Sequence, residues 1–362
     1  MRPSRVEINL KNLEANIETV RKKLGKTKLL AVVKADAYGH GAVAISSRAS
    51  AMGVDFLGVG IVEEGIELKN AGIQVPIVIL SQELEERVEE IVRYNLLPTV
   101  CSRNFLEALN REGKRQKRVV NLSVMLDTGM GRYGFSPDEF IYFLKLIKKM
   151  DWVEIAGVMS HLPVAGVDEE FTREQIIEFK NLILQAESMG ISIPVKSIAN
   201  SAAFLTEKES IFNMVKLGLI LYGILPFQDG SASEYLPVMV VKSKISFIKT
   251  IPPGHSVSYS RSFIAKRPTT IAVVPIGYAD GYDRKLSNKG WMMVSGKKSP
   301  VIGDVTMDAT MIDITDIPDV KIGDEVIIMN KSISAWDIAK TVDTIPYEVI
   351  SRMGKRLPRL YI

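Results

Sequence analysis

Residues 29–60 read LLAVVKADAYGHGAVAISSRASAMGVDFLGVG. Two short apolar runs, 29–33 and 56–60, flank a longer segment of helical period, which is the pattern of two parallel strands joined by a crossover helix. The pattern repeats. Six further runs follow: PIVIL (76–80), LLPTV (96–100), VVNLSVML (119–126), IAGVMS (155–160), VKSIA (195–199) and VKLGLIL (215–221). Eight such runs are the number that closes a (β/α)8 barrel.

Ahead of the first run, Leu10, Leu13, Ile17, Val20 and Leu24 recur at helical spacing with Asn9 available as N-cap, so a helix is expected before the barrel. Segments such as SQELEERVEEIVRYN and DEEFTREQIIEFKNLILQAESMG, charged on one face and apolar on the other, read as outer helices. At 226–237 the texture changes to PFQDGSASEYLP, a loop-like stretch taken as the domain boundary. Beyond it the chain is strand-like, with only SAWDIAKTV and PYEVISRM helical. The expected fold class is α/β: a TIM-like barrel over residues 1–230, then a smaller, mostly antiparallel β domain over 231–362.

Composition narrows the function. A net charge of +4 from 46 basic and 42 acidic side chains argues against a nucleic-acid partner, which would call for clustered Lys and Arg. The single cysteine, Cys101, cannot form an internal disulfide, and His40, His161 and His255 lack metal-ligand spacing, so no structural metal is expected. No run approaches the roughly 18 apolar residues of a membrane span and no signal peptide is evident, so a soluble, cytoplasmic protein is expected.

In a barrel of this kind reactive groups sit at the C-terminal ends of strands. Lys34 follows the first strand, where apolar walls would lower its pKa and leave a usable amine for a Schiff base; its structural alternative is a pair with Asp36. Arg132 is presented from LDTGMGRYGF, whose three glycines let the backbone approach a ligand or simply make a tight loop. His161 ends the sixth strand. Asn200 and Ser201 open a short helix suited to an anion, and Lys216 and Gly218 lie on the eighth strand. A lysine, anion donors and flat apolar contacts together suit pyridoxal 5'-phosphate (PLP).

The motifs AVVKADAYGHG, LDTGMGRYGF, NSAA, NMVKLGLILYG, VSYSRSF, IGYADGY, VTMD and RLPR, spread over 34–359, resemble in order and spacing those of the alanine racemase family. The resemblance implies that Lys34 holds PLP and exchanges a proton on one face of the substrate Cα, with Tyr259 as the opposite-face base contributed to a partner's site in a homodimer. Tyr38, Ser201 and the amides near Gly218 are then phosphate contacts. Arg132 falls near the PLP phenolic oxygen and the substrate carboxylate, Met307 meets that carboxylate from the partner, and His161 links to the tyrosine base. Tyr278, Asp280 and Arg284 belong to an entrance motif.

Three positions depart from the family pattern. Lys216 stands in place of an arginine facing the pyridine nitrogen, Met125 in place of a carbamylated lysine that positions Arg132, and Lys355 in place of a tyrosine at the phosphate. They bear on the substrate more than on the chemistry. The expectation is interconversion of L- and D-alanine, the latter for peptidoglycan; the alternatives are a broad-specificity or diamino-acid racemase acting on lysine or ornithine and, more remotely, a barrel-type decarboxylase.

Overall fold

The computed structural model describes residues 2–227 and 234–362. The chain opens with strand β1 (Arg5–Ile8), and the helix Leu10–Leu24 follows, its Asn9 side chain accepting the Asn12 amide at 3.0 Å as the N-cap residue anticipated above. Leu13, Ile17, Val20 and Leu24 are its buried stripe.

Eight parallel strands come next: β2 (Lys28–Val32), β3 (Phe56–Val59), β4 (Ile77–Ile79), β5 (Thr99–Val100), β6 (Val120–Met125), β7 (Val153–Met159), β8 (Val195–Ser197) and β9 (Met214–Leu217). They form two hydrogen-bonded arcs, β4-β3-β2-β9 and β5-β6-β7-β8. One seam is closed by a parallel bridge between Val78 and Leu97, the other by the Lys216 amide donating to the Ala199 carbonyl at 3.0 Å. All of β4, and all of β2 except Lys28, is buried, as expected of strands enclosed by side chains within and helices without.

The outer helices use their apolar stripes. In Glu169–Ser188, Thr172, Gln175, Ile176, Phe179, Ile183 and Ala186 face inward behind an Asp168 cap. The segment expected as one helix near residues 81–95 is shorter, a 3-10 turn Glu85–Arg87 leading into Val88–Arg93.

After the barrel come β10 (Met239–Lys244), β11 (Phe247–Ile251), β12 (Ser256–Val257), β13 (Phe263–Ile264), β14 (Thr269–Val274), β15 (Trp291–Val294), β16 (Lys297–Pro300), β17 (Thr310–Asp313), β18 (Glu325–Met329) and β19 (Arg359–Tyr361). They form a six-stranded sheet, β16-β15-β18-β10-β1-β19, a three-stranded sheet, β11-β14-β17, and the ribbon β12-β13. The helices Ala335–Val342 and Pro346–Ser351 occupy the two segments read as helical. The expected boundary at residues 230 and 231 lies outside the described residues. On its flanks, the buried Asn16 amide donates to Leu221 and Leu236 carbonyls and accepts the Leu236 amide.

Strand β1 was not anticipated. It leaves the barrel half of the sequence to pair antiparallel with β10 and parallel with β19, so both chain ends share one sheet. Its alternation explains this: Val6 and Ile8 are fully buried, while Arg5 and Glu7 join Lys242 and Glu325 in a surface ion network.

Just before β1, Arg2 forks onto the fully buried carboxylate of Asp280 at 2.5 and 2.7 Å, with Arg356 3.3 Å away. Arg2→Ala should lower the unfolding free energy by about 2–3 kcal/mol, less than the ~3–5 kcal/mol of a fully broken buried pair because Arg356 remains. Urea unfolding measures it, and an unchanged midpoint would refute the anchoring role.

Candidate active site

The C-terminal ends of the barrel strands surround a cavity of about 450 Å³. Lys34, Tyr38, Arg132, His161, Ser201, Lys216 and Gly218 all reach it, together with Met125. Among the described residues no aspartate or glutamate lines it.

Lys34 follows β2 at the start of an unusual turn. Residues 35–38 all have φ between 52° and 54°, a left-handed helical turn without glycine. Such backbone costs about 1–2 kcal/mol per residue, so it persists only where the surroundings over-determine it. They do so here. Glu64 accepts the Ala35 amide at 2.6 Å and the Gly60 amide at 2.7 Å, Asp36 accepts the Ala42 amide at 2.7 Å, and Ala37 donates to the Val33 carbonyl at 2.9 Å. The turn aims Lys34 and Tyr38 at one cavity. Burial, then the Arg132 guanidinium, holds the Lys34 amine below the ordinary lysine range, and Glu64 opposes the shift.

Tyr38 lies against Gly218. A Cβ at Gly218 would meet the Tyr38 hydroxyl at 2.7 Å, so only glycine admits this approach. The Gly218 amide donates to the Ser201 hydroxyl at 3.2 Å, and burial pushes the Tyr38 phenol well above its ordinary pKa. A protonated phenol, a serine hydroxyl and a main-chain amide thus sit together, a donor set suited to a phosphate.

Lys216 is only 7% exposed, and its amine donates to the Ser160 carbonyl at 3.0 Å, the Ser197 carbonyl at 3.2 Å and the Ser197 hydroxyl at 3.1 Å. With no carboxylate among these partners, burial lowers its pKa to about 7. Burial, followed by the charges of Lys216, Arg132 and Lys34, lowers His161 to about 3, so its imidazole is neutral.

Met125 brings no charge. Among the described residues no side chain replaces the anion expected beside Arg132, whose guanidinium lies 5.6 Å from the Tyr133 ring centroid. Its loop is shaped instead by the Asp127 carboxylate, which accepts the Gly129 amide at 2.9 Å and the Gly131 amide at 3.0 Å.

Lys355 requires a correction. It does not line the cavity but lies in a surface groove with Asp36, Glu67 and Tyr361. The Arg359 guanidinium gathers the carbonyls of Met353, Gly354 and Leu357 and so folds this segment outside the turn. The aromatic wall comes from Tyr347, its ring 6.0 Å from that of Tyr38; the tyrosine in PYEV was its only sequence signal. Ser160, which holds Lys216, was also missed, since its part is played by a carbonyl.

Tyr259 and Met307 do not reach the cavity of their own chain. Both stand on the C-terminal domain, 72% and 51% exposed. They are neighbours through Asp304, which accepts Ser258, Ser262 and Arg284 and so joins the Tyr259 turn to the loop carrying Met307. Tyr278 is half-exposed beside that loop, whereas Asp280 is buried on Arg2 and does not face solvent.

A lysine whose pKa falls on folding binds fewer protons folded than unfolded between about 7 and 10.5, so stability should rise with pH across that window. His161 works the same way lower down, its contribution being lost as pH falls from 6.5 toward about 3. Lys216→Met should make the upper rise shallower and, by removing one of the charges that lower His161, weaken the lower one as well, read from urea midpoints at several pH values; an unchanged upper slope would contradict the assignment.

The alanine racemase N-terminal domain model matches residues 8–226, and the C-terminal domain model matches 238–361. The chain is 40% identical to an alanine racemase of Halothermothrix orenii over 367 residues, covering 99% of this chain and 97% of that one. It is 42% identical to another from Thermodesulfovibrio yellowstonii over 366 residues, covering 98% and 97%. Among solved structures, alanine racemase of Clostridium difficile superposes with a TM-score of 0.96 at 34% identity, covering 100% of this chain and 96% of that one. That of Bartonella henselae, with covalently bound pyridoxal phosphate, gives 0.91 at 28% identity and covers 100% of both chains. With both domain models matched and full-length relatives at this identity, the chain belongs to the alanine racemase family.

Proposed function

We propose that this protein racemises alanine with PLP, as a homodimer in which Lys34 and Tyr259 of the partner subunit serve as the two bases. One observation carries the reading: the cavity encloses a depressed lysine amine at the end of β2, while Tyr259 stands exposed on a braced turn outside it. A racemase needs a base on each face of Cα, because one base returns the proton to the face it left.

The residues fit the cofactor. Lys34 would hold it covalently, Tyr38, Ser201 and the Gly218 amide would take the phosphate, Lys216 would face the ring nitrogen, and Arg132 would meet the phenolic oxygen and the substrate carboxylate. When bound, PLP supplies the electron sink that acidifies the Cα–H bond. Lys34, kept below its ordinary pKa, can lose its proton and accept one from Cα. Tyr259 of the partner subunit would serve as the base on the other face. His161, neutral, would share a hydrogen bond with that tyrosine, and the main chain at Met307 of the partner subunit would complete the carboxylate site.

Alanine is favoured over a diamino acid because among the described lining residues nothing offers a second ammonium a counterion. Met125, Leu80 and Ile345 are apolar, and the charged lining groups are cations. The dimer is supported by apolar side chains left open on both halves of the site: Ile61, Leu84, Tyr133 and Val167 at the barrel mouth, and Ile264 and Met307 beside Tyr259. A two-fold pair would cover both patches at once. The proposed setting is the cytoplasm, with D-alanine passing to peptidoglycan; among the described residues no helix is long and apolar enough to cross a membrane.

Lys34→Ala should abolish borohydride trapping of PLP, and trapping that persists at the same peptide would rule that lysine out. Tyr259→Phe should slow Cα–H exchange from one enantiomer by about 10²–10⁴-fold while sparing the other; equal losses would defeat the two-base scheme. Chiral chromatography of L-alanine and L-lysine reactions should give the higher kcat/KM for alanine, and preference for lysine would make this a diamino-acid racemase.

A further inference from the structure

The left-handed turn at 35–38 presents both Lys34 and Tyr38, yet the side chains that brace it include two with no part in the chemistry above. His40 is fully buried, its Nδ1 2.9 Å from the Ala37 carbonyl and 3.0 Å from the Tyr38 carbonyl. Carbonyls only accept, so Nδ1 carries the hydrogen and Nε2 is left as a bare acceptor. Among the described residues Nε2 has no hydrogen-bond partner, and the ring stacks on Tyr222 at 4.4 Å. A buried acceptor without a donor is costly, so the histidine is explained by what its other nitrogen does.

Arg359 reaches the same turn from the other domain. Its Nε and Nη2 donate to the Gly39 carbonyl at 3.2 and 3.1 Å, and its remaining donors go to the carbonyls of Met353, Gly354 and Leu357. A guanidinium spent entirely on main-chain carbonyls is a staple rather than a charge partner. The helix Pro346–Ser351 closes the remaining side, since a Cβ at Gly39 would lie 2.4 Å from the Ile350 carbonyl.

We propose that His40 and Arg359 are positioning residues that lock the left-handed turn and thereby set the Lys34 amine and the Tyr38 hydroxyl for PLP. The proposal rests on Lys34 being the PLP lysine. It gives a task to the AYGHG histidine and the terminal RLPR arginine: the C-terminal domain, besides carrying Tyr259, fixes the lysine of its own chain.

The test compares His40→Asn with His40→Leu. Asn keeps an N–H on the atom after Cγ, where Nδ1 sits, and Leu keeps only bulk; both lose the ring stacking, so their difference isolates the hydrogen bond. His40→Leu should raise the dissociation constant for PLP at least about tenfold, the weight of one net hydrogen bond, with His40→Asn within about threefold of wild type. In the apoprotein, His40→Leu should also speed hydrogen exchange at the Ala37 and Gly41 amides and alter the reactivity of Lys34 toward an amine reagent. If His40→Leu does not fold, Arg359→Lys, which keeps the charge but loses the fork, should show the same local exchange and weaker PLP binding. Leu and Asn behaving alike, impaired or not, would overturn the proposal. Peptide mapping of borohydride-trapped wild type tests the Lys34 reading separately, so the two failures are distinguishable.

Discussion

Three cationic side chains share one cavity with no carboxylate among the described residues of its walls, and desolvation, sharpened by charge repulsion at Lys34 and His161, governs the chemistry of the site. Lys34 is lowered by burial and by Arg132 against the opposing charge of Glu64, Lys216 by burial, and the neutral His161 by burial and the charges of all three. Such a cavity is stable toward anions and hostile to further cations. It therefore selects a phosphate and a carboxylate on electrostatic grounds before any shape is considered.

The fold supplies the rigidity this requires. Parallel strands in a closed barrel cannot slip register without breaking ladder hydrogen bonds and the packing on both faces, so the strand ends are fixed points. What is not rigid by topology is the short left-handed turn after β2, and there the chain concentrates its hydrogen bonds, from Glu64, Asp36, His40 and Arg359. Strand β19 carries Arg359 and pairs with β1, which in turn pairs with β10. The two ends of the chain thus tie the C-terminal sheet to the turn that presents Lys34.

The barrel was legible because a strand buried on both faces must be a continuous apolar run, and eight such runs stand out from amphipathic helices. The groups at strand ends were legible for the same reason, since Lys34 and Lys216 interrupt apolar context. Three things were not. Strand β1 is four residues whose partners lie more than two hundred positions away, beyond local pattern. The left-handed turn is built from Ala, Asp, Ala and Tyr, residues whose propensity never announces it, and only the surrounding network makes it pay. Lys355 was placed by counting residues from PYEV to RLPR, and the count was defeated by Arg359 folding the intervening loop outward, leaving Tyr347 on the wall. Tyr259 and Met307 were read only through resemblance; within one chain they are exposed residues joined by Asp304, and nothing in their spacing points to a site.

Lys216 shows how a departure from the family pattern is accommodated. A guanidinium stays charged and brings five donors, whereas the pocket around Lys216 offers two carbonyls and one hydroxyl. An ammonium matches those three acceptors one for one. When the amine is neutral it keeps two donors for the carbonyls, and the Ser197 hydroxyl can reverse to donate to its lone pair. The Ser160 and Ser197 framework therefore satisfies both protonation states without moving a heavy atom, which is why burial can bring this pKa to about 7 without stranding a polar group in either form.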